Sequence, residues 1–322
     1  MKHQAVTVSV PGKVLLMGDH AIVYGYPALL AAVGMRTRVT VLPRPAGAPG
    51  DITVRSAEPD GYIRHIIGVT RNLLGIKRIP ALTVTVESDI PPGYHLGSSA
   101  AVAVAAVAAC MYSWKSVWNP AEINRIAYEA EKHMHGNPSG GDNTAVTFGG
   151  LIWFRKELEF LRSIWQLPFR IPDRLNRFLL IDTGRPAEST GEMVAFVSSK
   201  LKAQNSKFKR IFARNEEQTR NITVALKTGK LDGLLSAVRA GEGTLEEMGV
   251  VSARVIPLIR AAEAAGGAAK ILGGGGRKRG VGYILACHRD PDRIAALSRK
   301  FGYPALPVRL GEEGVRLEKE SG

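Results

Sequence analysis

Cysteine is scarce: Cys110 and Cys287 are the two thiols in 322 residues. They offer neither a disulfide framework nor the short spacings of a metal knuckle, and they suggest a reducing compartment. Long apolar runs are lacking as well. The most apolar stretch, 100–109, is too short to span a bilayer. No signal-like segment precedes the alternating pattern that begins near residue 4. The expectation is therefore a cytoplasmic protein with no membrane partner. Two common phosphate-binding signatures are absent: no Gly-Lys-Ser/Thr of the Walker A type, and no Gly-x-Gly-x-x-Gly. Internal repeats and low-complexity tracts are absent too.

What is present is a globular balance, 45% hydrophobic and 22% charged, in a chain long enough for two domains. The division is placed at 168/169, inside an irregular stretch (156–175) that carries Pro168 and Pro172. The formal charge of +14 is concentrated in a helical run with Lys200, Lys202, Lys207, Lys209, Arg210, Arg214 and Arg220. A solvated helix face explains such a run, as does an anion-binding patch. Aromatic residues do not interleave it as single-strand binding would require, and the set Lys13, Ser99, Glu131 and Asp142 argues against a nucleic-acid partner. A dimer face or a lid stays open for the same run, and with it a homodimer.

The stretch around which the chain is organised is PPGYHLGSSAA, residues 91–101. It lies between a strand pattern at 82–87 and an Ala/Val-rich helix at 100–112. Strand, glycine loop and helix aim backbone N–H groups and a helix dipole at one point, suited to a phosphate chain. The plainer alternative is that Ser98 and Ser99 merely cap the helix. Upstream, a strand at 4–10 ends at Pro11-Gly12-Lys13. Lys13, Asp19 and His20 then stand in an apolar, glycine-punctuated segment, either as a site or as a surface turn. Strands at 35–42 and 51–56 are expected to pair across a turn at 43–50, and a helix is expected at 62–75. A helix over 120–135 carries Glu131 and stops at Gly136-Asn137-Pro138. Gly140 and Gly141 follow, then Asp142 and Asn143, which also read as ordinary turn chemistry. The second half shows strands at 177–182, 283–287 and 305–309, with helices at 191–226, 230–248, 252–265 and 291–301. That order suits an α+β sandwich.

Three glycine-containing stretches stand in a recognisable order: PGKVLLMGDHAIVYGYPAL (11–29), PPGYHLGSSAA (91–101) and KILGGGGRKRGVG (270–282). Together they resemble the signature motifs of the GHMP kinases and span nearly the whole chain. EKHMHGNPSGGDN (131–143), DTGRPAESTGEMV (182–194) and GTLEEMGVVS (243–252) narrow the likeness to members that phosphorylate mevalonate. The resemblance implies an N-terminal domain like the second domain of ribosomal protein S5, a C-terminal ferredoxin-like domain, and a site between them. It implies ATP and Mg²⁺ as cofactors and mevalonate as the small-molecule substrate, phosphorylated on its primary 5-hydroxyl. Phosphomevalonate, the mevalonate 3-hydroxyl or a sugar are the alternative acceptors.

Carried onto this sequence, the likeness makes Asp142 the catalytic base with Lys13 beside it, and Ser99 and Glu131 the Mg²⁺ ligands. Ser88 and the run Gly93, Tyr94, His95, Leu96, Gly97, Ser98 and Ser99 would hold the nucleotide together with Lys13. Asp19, His20 and Thr190 would orient the acceptor. Three departures from the family pattern stand out. Asp19 replaces a Glu, His95 stands where the loop has Gly, and Arg277-Lys278-Arg279 follows the third glycine run.

Overall fold

The computed structural model describes residues 4–44, 52–57, 60–78, 81–135, 138–158 and 160–318. The first part of the chain gives β1 (Val6–Met17), β2 (Ala28–Pro43), β3 (Ile52–Arg55), α1 (Asp60–Leu73) and β4 (Leu82–Ser88). It continues with α2 (Ser98–Lys115), α3 (Pro120–His135), α4 (Gly141–Phe148), β5 (Leu151–Lys156) and β6 (Arg162–Gln166). The second part gives β7 (Phe178–Asp182), α5 (Thr190–Ala203), α6 (Asn205–Thr228), α7 (Leu231–Met248), α8 (Ile256–Ala264) and β8 (Ala268–Ile271). It closes with β9 (Tyr283–Cys287), α9 (Pro291–Lys300), β10 (Ala305–Val308) and β11 (Arg316–Leu317).

β1 does not end at Pro11-Gly12-Lys13. It runs on to Met17, and its register against β2 shifts at Pro11/Gly12 and again at Leu15/Met17. The first irregularity accommodates a proline that cannot donate to the ladder, and the apolar 14–17 segment then stays in the buried sheet. Lys13 is thereby fixed on a central strand. β2 is long enough to serve two neighbours on its other side: Ala28–Ala31 pair with β5 and Thr37–Pro43 with β4. The expected pairing of 35–42 with 51–56 is not found, because β4 lies between them and β3 runs parallel to β4. The Val39↔Val86 and Val41↔Val84 registers show why: β4 matches the alternation of β2 over seven residues, whereas β3 has four. Most of the expected turn, 45–50, lies outside the described residues, as do Gly136 and Asn137 of the expected helix stop.

α2 is apolar on every side and is buried on every side: each residue from Ala100 to Met111 is inaccessible. Its alanines let β1, β2, α1, α3 and α4 pack around it. The second part forms a four-stranded antiparallel sheet in the order β10-β7-β9-β8, with its own core under α5 to α9. This is the α+β arrangement expected. The helical run expected over 191–226 is divided at Gln204 into α5 and α6. The expected 252–265 helix narrows to α8, which begins beside Pro257. α6 buries Phe208, Ile211, Phe212 and Ile222. Its basic residues stand in solvent, where Arg214 meets Glu247 and Arg220 meets Glu216. Among the described residues, no helix is long and apolar enough to cross a membrane.

The stretch expected to be irregular contains β6, which pairs with β5. The two sheets fall on either side of residues 168/169, except that β11 returns to the first sheet and pairs Val8 with Leu317. Buried Arg36 of β2 secures that return. Its guanidinium donates to the carbonyls of Glu313 (2.9 Å) and Gly314 (2.8 Å) and to the Ser9 hydroxyl (2.8 Å).

Candidate active site

The loop between β4 and α2 is tied to the rest of the protein through both side chains and backbone. Ser88 clamps the start: its hydroxyl lies 2.8 Å from that of Thr37 and accepts from the Ile90 amide at 3.1 Å. Tyr94 leans on Tyr283 of β9, ring centroids 5.2 Å apart. Leu96 is buried, and its carbonyl accepts the Lys13 amide at 2.9 Å. Gly97 is the N-cap of α2, left-handed with φ 76° and without a side-chain cap. Ser98 and Ser99 are therefore helical residues rather than caps, and a helix N-terminus without a side-chain cap is suited to an anion. A Cβ on Gly97 would lie 3.0 Å from Lys13 Cγ, so the same glycine makes room for the lysine stem.

Lys13 Nζ sits 3.0 Å from Asp142 Oδ1. The lysine side chain is 4% exposed and the aspartate 45%, so a buried cation meets a carboxylate that faces the cleft. Asp142 reaches that place from the first turn of α4, behind left-handed Gly140. Glu131, buried on α3, is hydrogen-bonded to the hydroxyls of Ser99 and Tyr62. Burial first, and the neighbouring Asp142 second, push its carboxyl up to about 7. Lys13, Ser99, Glu131 and Asp142, from four separate elements, thus share one electrostatic neighbourhood.

That neighbourhood fits Mg²⁺. A hydroxyl and a buried carboxyl are hard oxygen donors, and two acidic groups face one lysine. Among the described residues, no three His, Cys, Asp or Glu side chains gather to hold a metal by themselves. The metal would accordingly arrive with phosphates, Ser99 and Glu131 completing its shell. Because the Glu131 carboxyl must lose its proton to ligate, binding of Mg²⁺ with a non-hydrolysable ATP analogue should weaken about tenfold between pH 8 and pH 6. Glu131→Gln should flatten that dependence. Calorimetry at fixed ionic strength reads both, and an unchanged slope in the variant would remove Glu131 from the metal shell.

On the opposite wall, His20 Nε2 donates to the Gly274 carbonyl at 3.1 Å, and burial lowers the pKa of its ring. Thr190, the first residue of α5, follows a capping box formed by Ser189 and Glu192. Asp19 lies next to His20. It is buried and paired at 2.9 Å with Lys270 Nζ, which is itself fully buried. The shorter carboxylate arm therefore braces the join between the end of β1 and β8. Lys270 also donates to the carbonyls of Leu15 (3.0 Å) and Ile271. Glu242 of α7 accepts the Ile271 amide at 3.0 Å, and burial pushes its carboxyl up to about 8.

Lys270 and Glu242 escaped the sequence reading, although Lys270 opens the third glycine stretch and a buried position there was a usable signal. Arg185 was also missed. Its guanidinium lies across Gly93, where a Cβ would meet Nε at 2.7 Å, so the segment between β7 and α5 sets a cation on the glycine loop. The basic run is differently used: Arg277 stacks on Phe196, 4.1 Å from the ring centroid, and its amide donates to Glu188 at 3.3 Å.

A profile of the GHMP kinases N terminal domain matches residues 61–150. Mevalonate kinase of Archaeoglobus fulgidus is 30% identical over 273 residues, 83% of this chain and 88% of that protein. Mevalonate kinase of Thermococcus sibiricus is 28% identical over 341 residues, covering 97% and 98%. The crystal structure of L. major mevalonate kinase in complex with R-mevalonate superposes with a TM-score of 0.79 at 24% identity, over 95% of each chain. Fold, motif order and the convergence of a lysine, a serine and two acids beneath one glycine loop agree with these likenesses, and the chain belongs to the GHMP kinases.

Proposed function

We propose that this kinase transfers the γ-phosphoryl group of ATP to the 5-hydroxyl of mevalonate, with Mg²⁺. The observation that carries it is the Lys13–Asp142 pair, 3.0 Å apart at the mouth of the α2 N-terminus and beside Ser99 and Glu131. Phosphoryl transfer needs positioned phosphates, charge neutralisation and an oriented hydroxyl, and little covalent chemistry from the protein. The α2 amides and the Gly93–Ser98 backbone cradle the phosphates. The acceptor hydroxyl donates a hydrogen bond to the Asp142 carboxylate. A primary alcohol is too weak an acid to ionise beforehand, so its proton passes to Asp142 late, as the O–P bond forms. The Lys13 ammonium, held beside both atoms, offsets charge as it develops. Ser99 and Glu131 would hold Mg²⁺, which would supply positive charge to offset that of the phosphate chain.

The resemblance to mevalonate kinases over nearly the whole length supports mevalonate as acceptor. Two buried thiols, both pushed up to about 12 by burial, suit the cytoplasm. The test is ADP release with ATP and Mg²⁺ across mevalonate, 5-phosphomevalonate, homoserine and galactose, with the phosphorylated position read by NMR. The expected product is 5-phosphomevalonate from mevalonate. A higher kcat/KM on a phosphorylated alcohol or a sugar would overturn the assignment and turn attention to Arg277, Lys278 and Arg279.

A further inference from the structure

We propose that His95 is a positioning residue for the acceptor half of the site, an imidazole on the phosphate loop that latches Thr190 and the third glycine turn in place. The proposal rests on the phosphotransferase reading above and replaces the expectation that this side chain contacts nucleotide.

His95 is one of three non-glycine residues with positive φ among the described residues, at 63°. That conformation is disfavoured for a side chain and persists where surrounding contacts over-determine it. The ring crosses from the first domain to the second, where Nε2 lies 3.3 Å from the Gly275 carbonyl and Nδ1 lies 3.4 Å from the Thr190 hydroxyl. A carbonyl only accepts, so Nε2 carries the proton. Burial, and then Lys13, hold the ring pKa down to about 4, so Nδ1 is bare and accepts from Thr190. Both nitrogens are thereby committed to the protein, which leaves none for a phosphate.

The glycine turn is cut to receive this ring. A Cβ on left-handed Gly273 would stand 2.7 Å from His95 Cβ, and one on Gly274 would stand 3.3 Å from His95 Cε1 and 3.4 Å from Thr190 Cα. The neighbouring carbonyl, Gly274, takes the hydrogen bond from His20, whose φ is 60°. Two left-handed histidines of the first domain therefore hold successive carbonyls of one turn in the second. His20 reaches it from the acceptor wall and His95 from the phosphate loop. A glycine at 95 would leave Thr190 and the turn unconnected to that loop.

The expected result of His95→Gly is a rise of about tenfold or more in KM for mevalonate, with Kd for Mg²⁺ and ATP within twofold of the parent. His95→Gln, whose amide can donate to Gly275, should recover most of the loss. A variant that instead weakens nucleotide binding, with acceptor KM unchanged, would overturn the latch and restore a phosphate contact. Failure of the parent on mevalonate would sink the acceptor assignment alone. The latch is then read without any acceptor, by long-range ¹H–¹⁵N NMR of the full chain. The Nε2–H tautomer of His95 should be present and unmoved by Mg²⁺ and an ATP analogue. An Nδ1–H tautomer, or a large shift on adding nucleotide, would disprove it.

Discussion

Asp142→Asn should lower single-turnover phosphoryl transfer by about 10²–10⁴-fold while nucleotide affinity stays within a few-fold of the parent. The substitution is isosteric, so the Lys13 contact can persist through the remaining oxygen. What disappears is the group proposed to accept the hydroxyl proton. The phosphate cradle is untouched, because the α2 N-terminus, Ser99 and Glu131 reach the site from other elements. A secondary effect follows from charge. Asp142 is the second cause of the raised Glu131 carboxyl, so its neutralisation should bring Glu131 closer to the ordinary carboxyl range and ease Mg²⁺ binding below pH 7. Quench-flow with excess enzyme and calorimetry with an ATP analogue separate the two effects. Transfer within fivefold of the parent would remove Asp142 from the base role.

The second large effect lies in stability. Lys270→Met should destabilise the fold by about 3–5 kcal/mol, because it leaves the buried Asp19 carboxylate without its counter-charge. It also strips the Leu15 and Ile271 carbonyls of a donor. The double variant Asp19→Asn, Lys270→Met should regain much of the loss, since no uncompensated charge remains. Glu242→Gln provides the contrast. Burial raises that carboxyl to about 8, so near neutral pH it is mostly protonated, and an amide of the same shape should change stability little. The sign of its pH dependence is set by the same shift. The contribution is full below the ordinary carboxyl value and is lost as pH rises through about 8. Urea unfolding at pH 6, 7 and 9 reads all three variants. A loss below about 1 kcal/mol for Lys270→Met would show that relaxation or water compensates Asp19.

The proposed cluster was legible because its parts announce themselves locally. Lys13, Ser99, Glu131 and Asp142 each sit in a short run whose glycines, prolines or small residues already require a special backbone. Long-range facts were less visible. Glu242 stands in a helix rich in glycine and acid, where the pattern suggests solvent, and only the approach of β8 buries it. The resemblance implies that Asp19 and His20 act together on the acceptor, but in the turn after β1 Asp19 pairs with Lys270 while His20 bonds the Gly274 carbonyl. The pairing of β3 was misjudged because adjacency in sequence favoured β2, while register favoured β4. His95 was noticed as an intruder in a glycine loop. Its partners, Thr190 and Gly275, could be found only in three dimensions.

The return of β11 to β1 bears on how the protein is made. Val8 finds its partner Leu317 across almost the whole length of the chain, and Arg36 finds the carbonyls of Glu313 and Gly314 at a similar remove. On the ribosome, residues of the first sheet emerge early, yet that edge of β1 stays uncovered until residue 317 has been synthesised. The N-terminal lobe is therefore not a unit that can be finished and set aside while the other is translated. Its hydrogen bonds to β11 form after the second sheet has been synthesised, and the entropy of closing so long a loop favours assembly of that sheet first.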